Sequence, residues 1–432
     1  MLQRIQGSAY IATVLQRGRL LTVAGLSQLA IQAAGFACGV VVIRLLPTDE
    51  YALYILANTM LGTMGVLADG GISMGVTAQG GKVWRNPARL GAVIATGLDL
   101  RMKFGVASLV IALPLMYILL TAHGAPLWMA LLIILAIIPA FFSSLSGALL
   151  QVAPKLQQDI VALQKNQVTT HLMRLALLAS TVLVFPFAFV AILAGGIPQI
   201  WANLRLKAIA FKYAYWNQAP DLAVRTEILR FVKRILPGSI YFCFSSQLTI
   251  WLISIFGSTV AIAQVGALSR LALVLTMFNI LVNLLIIPRF ARLASDRRTL
   301  LEWYVRIQTY LICACATLIA AVWIFPHEVL WILGPRYSTL HHELLLCFIG
   351  GTLNLWVGIN YALNTSRGWL MHPVIGISIG IAGIVAGVML IDVSTIRGVL
   401  LFNIFTGVVG MLAHPLYGLL RILKTADAVD HG

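Results

Sequence analysis

A chain of 432 residues that is 60% hydrophobic and only 10% charged, with a mean hydropathy of +0.93, is not composed to fold in water. Its net charge of +16 does not read as nucleic-acid binding, because such proteins cluster their basic residues on a soluble domain, whereas here Lys and Arg fall in alternate gaps between long apolar runs. The five cysteines, Cys38, Cys243, Cys313, Cys315 and Cys347, all lie inside apolar runs, which argues against disulfides or zinc and for small packing residues.

Crossing roughly 30 Å of hydrocarbon takes about 20 helical residues. Residues 1–19 carry Arg4, Arg17 and Arg19 ahead of a full-length apolar run; they read as an amphipathic cytoplasmic N-terminus, without the cleavage site of a signal peptide. Six spans follow at about 20–43, 52–78, 104–122, 127–150, 168–186 and 188–204, the last two separated only by Pro186. They predict an N-terminal six-helix bundle over 20–204. In 205–237, Asp221 is followed by a basic, apolar-periodic stretch to Leu236, which predicts a cytoplasmic basic linker helix. Six further spans, at about 238–256, 260–288, 306–325, 343–363, 373–391 and 398–418, predict a C-terminal bundle over 238–418 and a cytoplasmic tail at 419–432. None of the runs has the alternation of a barrel strand, so all are expected to be helices.

Nearly all of the 30 Lys and Arg sort to one side. The N-terminal segment, the second loop (Lys82, Arg85, Arg89, Arg101, Lys103), the fourth (Lys155, Lys165 and nearby Arg174), the sixth and the eighth are rich in them. The opposite side has only Arg44, Arg336 and Arg397. Both termini are therefore expected in the cytoplasm of a bacterial inner membrane. The basic loops should rest on anionic lipids, each charge adding about 1 kcal/mol at most.

The halves are weakly alike. Gly25, Ser27, Gln28 and Leu29 open the first and Gly238, Ser246, Gln247 and Leu248 the second, while Tyr51–Tyr54 (YALY) corresponds to Val265–Leu268 (VGAL). Six spans per half is an even number, so two such repeats point the same way and enclose a central cavity. Glycines spaced as on one helix face, Gly35 and Gly39, then Gly376, Gly380, Gly383 and Gly387, predict close packing; Pro139, Pro198 and Pro415 mark kinks or hinges.

Arg270 lies about ten residues into its span, near mid-membrane. A guanidinium there costs about 2.5 to 3.5 kcal/mol on the lenient insertion scales and must face water, a partner or a ligand. A phosphate suits its fork of donors; carbonyls and an acid on a neighbouring helix are the structural alternative. Gln28, Gln32, Asn58, Gln247, Asn279, Asn283, Asn354, Asn360 and Asn364 are intramembrane amides, fit either to bind sugar hydroxyls or to hold helices together, and Trp251, Trp356 and Tyr361 could stack on sugar rings. Asp69 is the only acid well inside a span. It reads as a proton or sodium coupling residue, as a structural partner of Lys82 or Arg85, or as part of a helix-breaking turn with Gly70 and Gly71. His341, His342 and Glu343 lack the spacing of a metal site. There is no Walker sequence, no nucleophile elbow and no cofactor motif, so no enzyme is expected.

The stretches LLTVAGLSQLAIQAAGFACGVVVIRLLPTDEYALYILA (Leu20 to Ala57), LADGGISMGVTAQGG (Leu67 to Gly81) and VGALSRLALVLTMFNILVNLLIIPRFARL (Val265 to Leu293) resemble the polysaccharide (O-antigen, Wzx-type) flippases of the multidrug/oligosaccharidyl-lipid/polysaccharide exporter (MOP) superfamily. That resemblance implies an all-α membrane protein of MATE-like fold, about twelve helices in two six-helix bundles around a central cavity. It implies a lipid-linked oligosaccharide, carried on undecaprenyl pyrophosphate, as substrate, and partnership with a polysaccharide polymerase and chain-length machinery. The family's cavity arginines correspond to Arg270, with Arg44 near the periplasmic mouth as a second candidate. An ion-coupled multidrug antiporter of the same superfamily would instead need an intramembrane acid near aromatic residues. A non-transporting assembly partner would need no polar cavity.

Overall fold

The computed structural model describes residues 25–215, 218–293, 296–369 and 371–425. The expected N-terminal segment 1–19 lies outside them, as do residues 426–432 of the expected tail. Among the described residues all regular elements are helices, and 11 are long and apolar enough to cross a membrane. A further apolar helix, Pro373–Leu390, has 18 residues. Two compact units divide the chain, Met1–Ser246 and Gln247–Gly432.

In the first unit, α1 (Gly25–Leu45) is followed by α2 (Thr48–Asp69) and α3 (Ile72–Val83). The single span expected at 52–78 is thus broken. Gly70 (φ 46°) and Gly71 (φ 96°) adopt left-handed backbone, which glycine reaches without steric cost. A Cβ on Gly70 would stand 2.9 Å from Leu236 Cδ1, and one on Gly71 3.1 Å from the Ile235 side chain. Helix α4 (Pro87–Ala122) is started by Asn86, whose side chain accepts from the amides of Ala88 and Arg89, with Pro87 in the first turn. Its 36 residues span about 54 Å at 1.5 Å each. That exceeds the hydrocarbon, so the charged first half, expected as a loop, is helix continuing beyond the apolar layer.

Helices α5 (Leu127–Leu150), α6 (Val152–Leu156), α7 (Ile160–Val184) and α8 (Ala188–Ala210) complete the unit. Asp159 caps α7 by accepting from the Ala162 amide. Small residues let α5 and α8 approach closely: a Cβ on Gly196 would lie 3.0 Å from that of Ala140. The expected linker is not a separate helix. One helix, α9 (Leu222–Phe256), runs from it through the seventh span for 35 residues with Pro237 inside, and the boundary between the units falls within it.

The second unit continues through α10 (Thr259–Leu271), α11 (Leu273–Leu285), α12 (Ile287–Ala291), α13 (Arg297–Ile324), α14 (Pro326–Trp331), α15 (His341–Ser366), α16 (Pro373–Leu390) and α17 (Ile396–Thr425). Asp296 caps α13, and the amide and hydroxyl of Thr299 that bond its carboxyl hold it below the usual carboxylate range. The expected glycine face of α16 meets α17, Gly383 against Val409 and Gly387 against Phe402, whereas the space beside Gly35 in α1 is open. Sequence reasoning missed the glycine contacts of α17 with α15, where Cβ atoms on Gly407 and Gly410 would stand 2.9 and 3.0 Å from Leu353 and Val357.

Large apolar side chains face outward as well as inward: Ile111 is 71% exposed, Leu183 70% and Met389 81%. Hydrocarbon, not water, is the solvent for such surfaces. The loop charges then predict the sidedness of this shell. Cysteines placed after Arg89, Lys212 and Arg298 are expected to be shielded from an impermeant maleimide in intact cells, and those near His123, Ser258 and Arg336 to be labelled. Reversed labelling in either half would overturn the expectation that the two repeats point the same way.

Candidate functional site

Arg270 stands one residue before the end of α10. Ser258 starts this helix by accepting from the Ala261 amide, and Arg270 lies 11 residues after Thr259, about 16 Å along the axis. Ala272 alone separates α10 from α11; it keeps right-handed helical backbone, and its amide donates to the Leu268 carbonyl. Arg270 is half-buried, and among the described residues it has neither a hydrogen bond nor an ion pair. On the same apolar run, Asn279 is half-buried, and its backbone oxygen and its Oδ1 both accept from Asn283 Nδ2.

Other predicted residues of the second unit have settled roles. Asn360 is fully buried: its Oδ1 accepts from Tyr304 Oη (2.9 Å) and Gln308 Nε2 (2.6 Å), and its Nδ2 donates to the Trp356 carbonyl. Trp356 Nε1 donates to Gln308 Oε1 at 2.6 Å. Asn364 donates to the His414 carbonyl, Asn354 donates to Asn403 Oδ1, and the Tyr361 ring meets that of His414. This network ties α13, α15 and α17 together. Sequence reasoning missed Tyr304 and Gln308; a polar residue within an apolar span was the available signal for Gln308. Gln247 is half-buried on α9. Glu343 is bound by Arg397, with Nε donating to Oε1 at 2.6 Å, and His341 packs against His327. Among the described residues no three His, Cys, Asp or Glu side chains converge as metal ligands.

In the first unit Gln28 and Asn58 are half-buried, Asn58 Nδ2 donating to the Tyr54 carbonyl, and Arg44 is exposed at the end of α1. Asp69 does not pair with Lys82 or Arg85. Its partner is Arg101, read from the sequence as a loop charge but only 7% exposed. Arg101 Nη2 lies 3.2 Å from Asp69 Oδ1, and Nη1 donates to the Leu145 carbonyl at 2.9 Å. Ser73 donates to the same Asp69 oxygen from its hydroxyl (2.5 Å) and its amide (3.2 Å). The end of α2, the start of α3, and α4 and α5 are thereby cross-linked beside the Gly70–Gly71 turn. Arg174 is likewise no loop neighbour, because α7 begins at Ile160 and places it well inside the helix.

No family model and no curated protein matches this chain. Solved structures do. An inward-facing multidrug resistance MATE family transporter of the MOP superfamily superposes with a TM-score of 0.74 at 14% identity, over 93% of this chain and 99% of that one. A MATE protein in complex with MaL6 gives a TM-score of 0.63 at 14% identity, over 94% of this chain and 95% of that one. An outward-facing multidrug resistance MATE family transporter of the same superfamily gives 0.56 at 14% identity, over 94% and 95%. At such identity the likeness is one of fold. This chain is an all-α, multi-pass membrane protein with a MATE-like fold.

Proposed function

We propose that this protein is a transporter of the bacterial inner membrane that flips an undecaprenyl-pyrophosphate-linked oligosaccharide repeat unit toward the periplasm for polysaccharide (O-antigen, capsule or exopolysaccharide) assembly. The observation that carries this reading is Arg270. It is a mid-depth guanidinium near the junction of α10 and α11, without an ion-pair partner among the described residues, and is suited to an anionic headgroup. Gln28, Asn58, Gln247 and Asn279 supply amides for sugar hydroxyls, and Arg44 a further cation. Asn360, enclosed in its own network, serves the scaffold under this proposal. The polymerase and chain-length machinery are the partners that would consume the product. The chain has no nucleotide-binding motif, which leaves a proton or sodium gradient, the membrane potential, or removal of product as the drive.

The solved structures of like fold favour a second reading, an ion-coupled multidrug or small-molecule antiporter, since those proteins are named as multidrug transporters. The two separate in proteoliposomes. Under the flippase reading, a fluorescent lipid-pyrophosphate disaccharide becomes protected from an external quencher at a rate set by protein dose, while a cationic dye is not expelled under an imposed proton or sodium gradient. Gradient-driven dye efflux without headgroup protection would establish the antiporter instead.

A further inference from the structure

Helix α7 carries a second cation in an apolar setting. Arg174 lies 14 residues after Ile160 and 10 before Val184, which is about 21 Å and 15 Å from the two ends at 1.5 Å per residue. It is half-buried, its Nε is fully buried, and among the described residues it makes neither a hydrogen bond nor an ion pair. One turn earlier on the same face, spaced as neighbours are on a helix, His171 also has a buried and unpartnered Nδ1. Across from them α8 presents Gly195: a Cβ there would stand 3.4 Å from both Nε and Nη2 of Arg174. The guanidinium therefore packs against α8 where Gly195 presents no side chain.

The unit offers no acid to neutralise it. Asp69 is held by Arg101, Asp99 by Lys103 and Glu227 by Arg230, while Glu50 accepts from the Ala188 amide and Asp159 and Asp221 cap helices. Asp49 is exposed at the opposite end of the unit's second span. A buried charge with unmade hydrogen bonds is costly in an apolar medium. An anion that accepts from both the guanidinium and the imidazole removes that cost.

We propose that Arg174 and His171 form an anion site inside the first unit, built for a phosphate-type oxyanion, with Gly195 as the wall on which the guanidinium rests. The guanidinium supplies charge and a planar fork, and the imidazole supplies a second donor on the same side. The site is separate from Arg270, and the inference does not depend on the transported substrate. The phosphate has two candidate sources, inorganic phosphate and the headgroup of a lipid phosphate.

The test uses the purified full chain in detergent, with thermal unfolding and equilibrium binding read at constant ionic strength. Inorganic phosphate is titrated in one arm, and dodecyl phosphate against dodecanol in the other. At least one phosphate probe is expected to raise the melting temperature of the parent; a response to dodecyl phosphate alone assigns the site to a lipid headgroup. Arg174→Gln is expected to weaken that binding by at least about tenfold, and Arg174→Lys by less because charge survives without the fork. Lys82→Gln, which removes an exposed cation, is expected to leave it unchanged. If Arg174→Gln does not accumulate, His171→Ala must still weaken binding. A parent that responds to neither probe, or variants at Arg174 and His171 that bind as the parent does, would overturn the proposal.

Discussion

Arg270→Ala is expected to abolish headgroup protection in proteoliposomes while leaving the protein in the membrane at its normal level. Each hydrogen bond to a charged group contributes about 1.5 to 3 kcal/mol, and a bidentate contact made during passage supplies two. Their loss, about 3 kcal/mol or more, is roughly a hundredfold or more in rate. Arg270 has no hydrogen-bond or ion-pair partner among the described residues, so its removal leaves no unpaired acid and the fold should tolerate it. Arg270→Lys keeps the charge and loses the fork, so its rate should fall between those of the parent and the alanine variant. Parental transport by the alanine variant at matched expression would take Arg270 out of the mechanism.

Asp69→Asn is expected to be among the most destabilising single changes in the first unit, at about 3 kcal/mol. The reason is the asymmetry of the pair. Asp69 is 27% exposed at its side chain and keeps two donors from Ser73, whereas the Arg101 side chain is 8% exposed. Neutralising the acid therefore strands the more deeply buried charge, and an uncompensated buried charge costs about 3 to 5 kcal/mol. Replacing both, Asp69→Asn with Arg101→Met, removes the stranded charge and should recover most of the loss, as read by denaturant unfolding of the purified protein. This pair of variants also separates the two roles open to Asp69. With the fold restored, the double variant is expected to respond to an imposed proton or sodium gradient as the parent does, because Arg101 and Ser73 already employ the carboxylate in holding helices together. A stable double variant that has lost its gradient response would return Asp69 to ion coupling.

Arg101 and Arg174 show where linear reading stops. Arg101 falls in a loop by hydropathy because the apolar run that marks its span begins after it, at about 104, and Arg174 counts with the fourth loop because its span begins by hydropathy at 168, only six residues before it. The helices begin much earlier, at Pro87 and Ile160. Hydropathy measures contact with lipid, and a helix whose inward face is polar is still a helix. Lys165, Gln167 and His171 lower the apolarity of α7 without ending it. The turn at Gly70–Gly71 stays only one alternative in the sequence for the converse reason: apolar composition continues through it to about residue 78, while the break is a matter of φ. Asn360 was correctly seen as an intramembrane amide, but whether an amide meets a ligand or another helix depends on what packs opposite. Here Tyr304 and Gln308 do, more than 50 positions away in the chain.

Composition and segment length alone determined that this protein is a bundle of membrane-crossing helices, because the bilayer imposes its thickness and its lack of hydrogen-bonding partners on any chain that enters it. They also placed Arg270 at mid-depth, since depth along a helix is a count of residues. Which charges are neutralised was decided only by tertiary structure. Asp69, Ser73, Arg101 and the Leu145 carbonyl come from four helices, and nothing in their spacing announces that they meet. An ion pair or a vacant guanidinium is a relation between surfaces, and those surfaces exist only once the helices have packed.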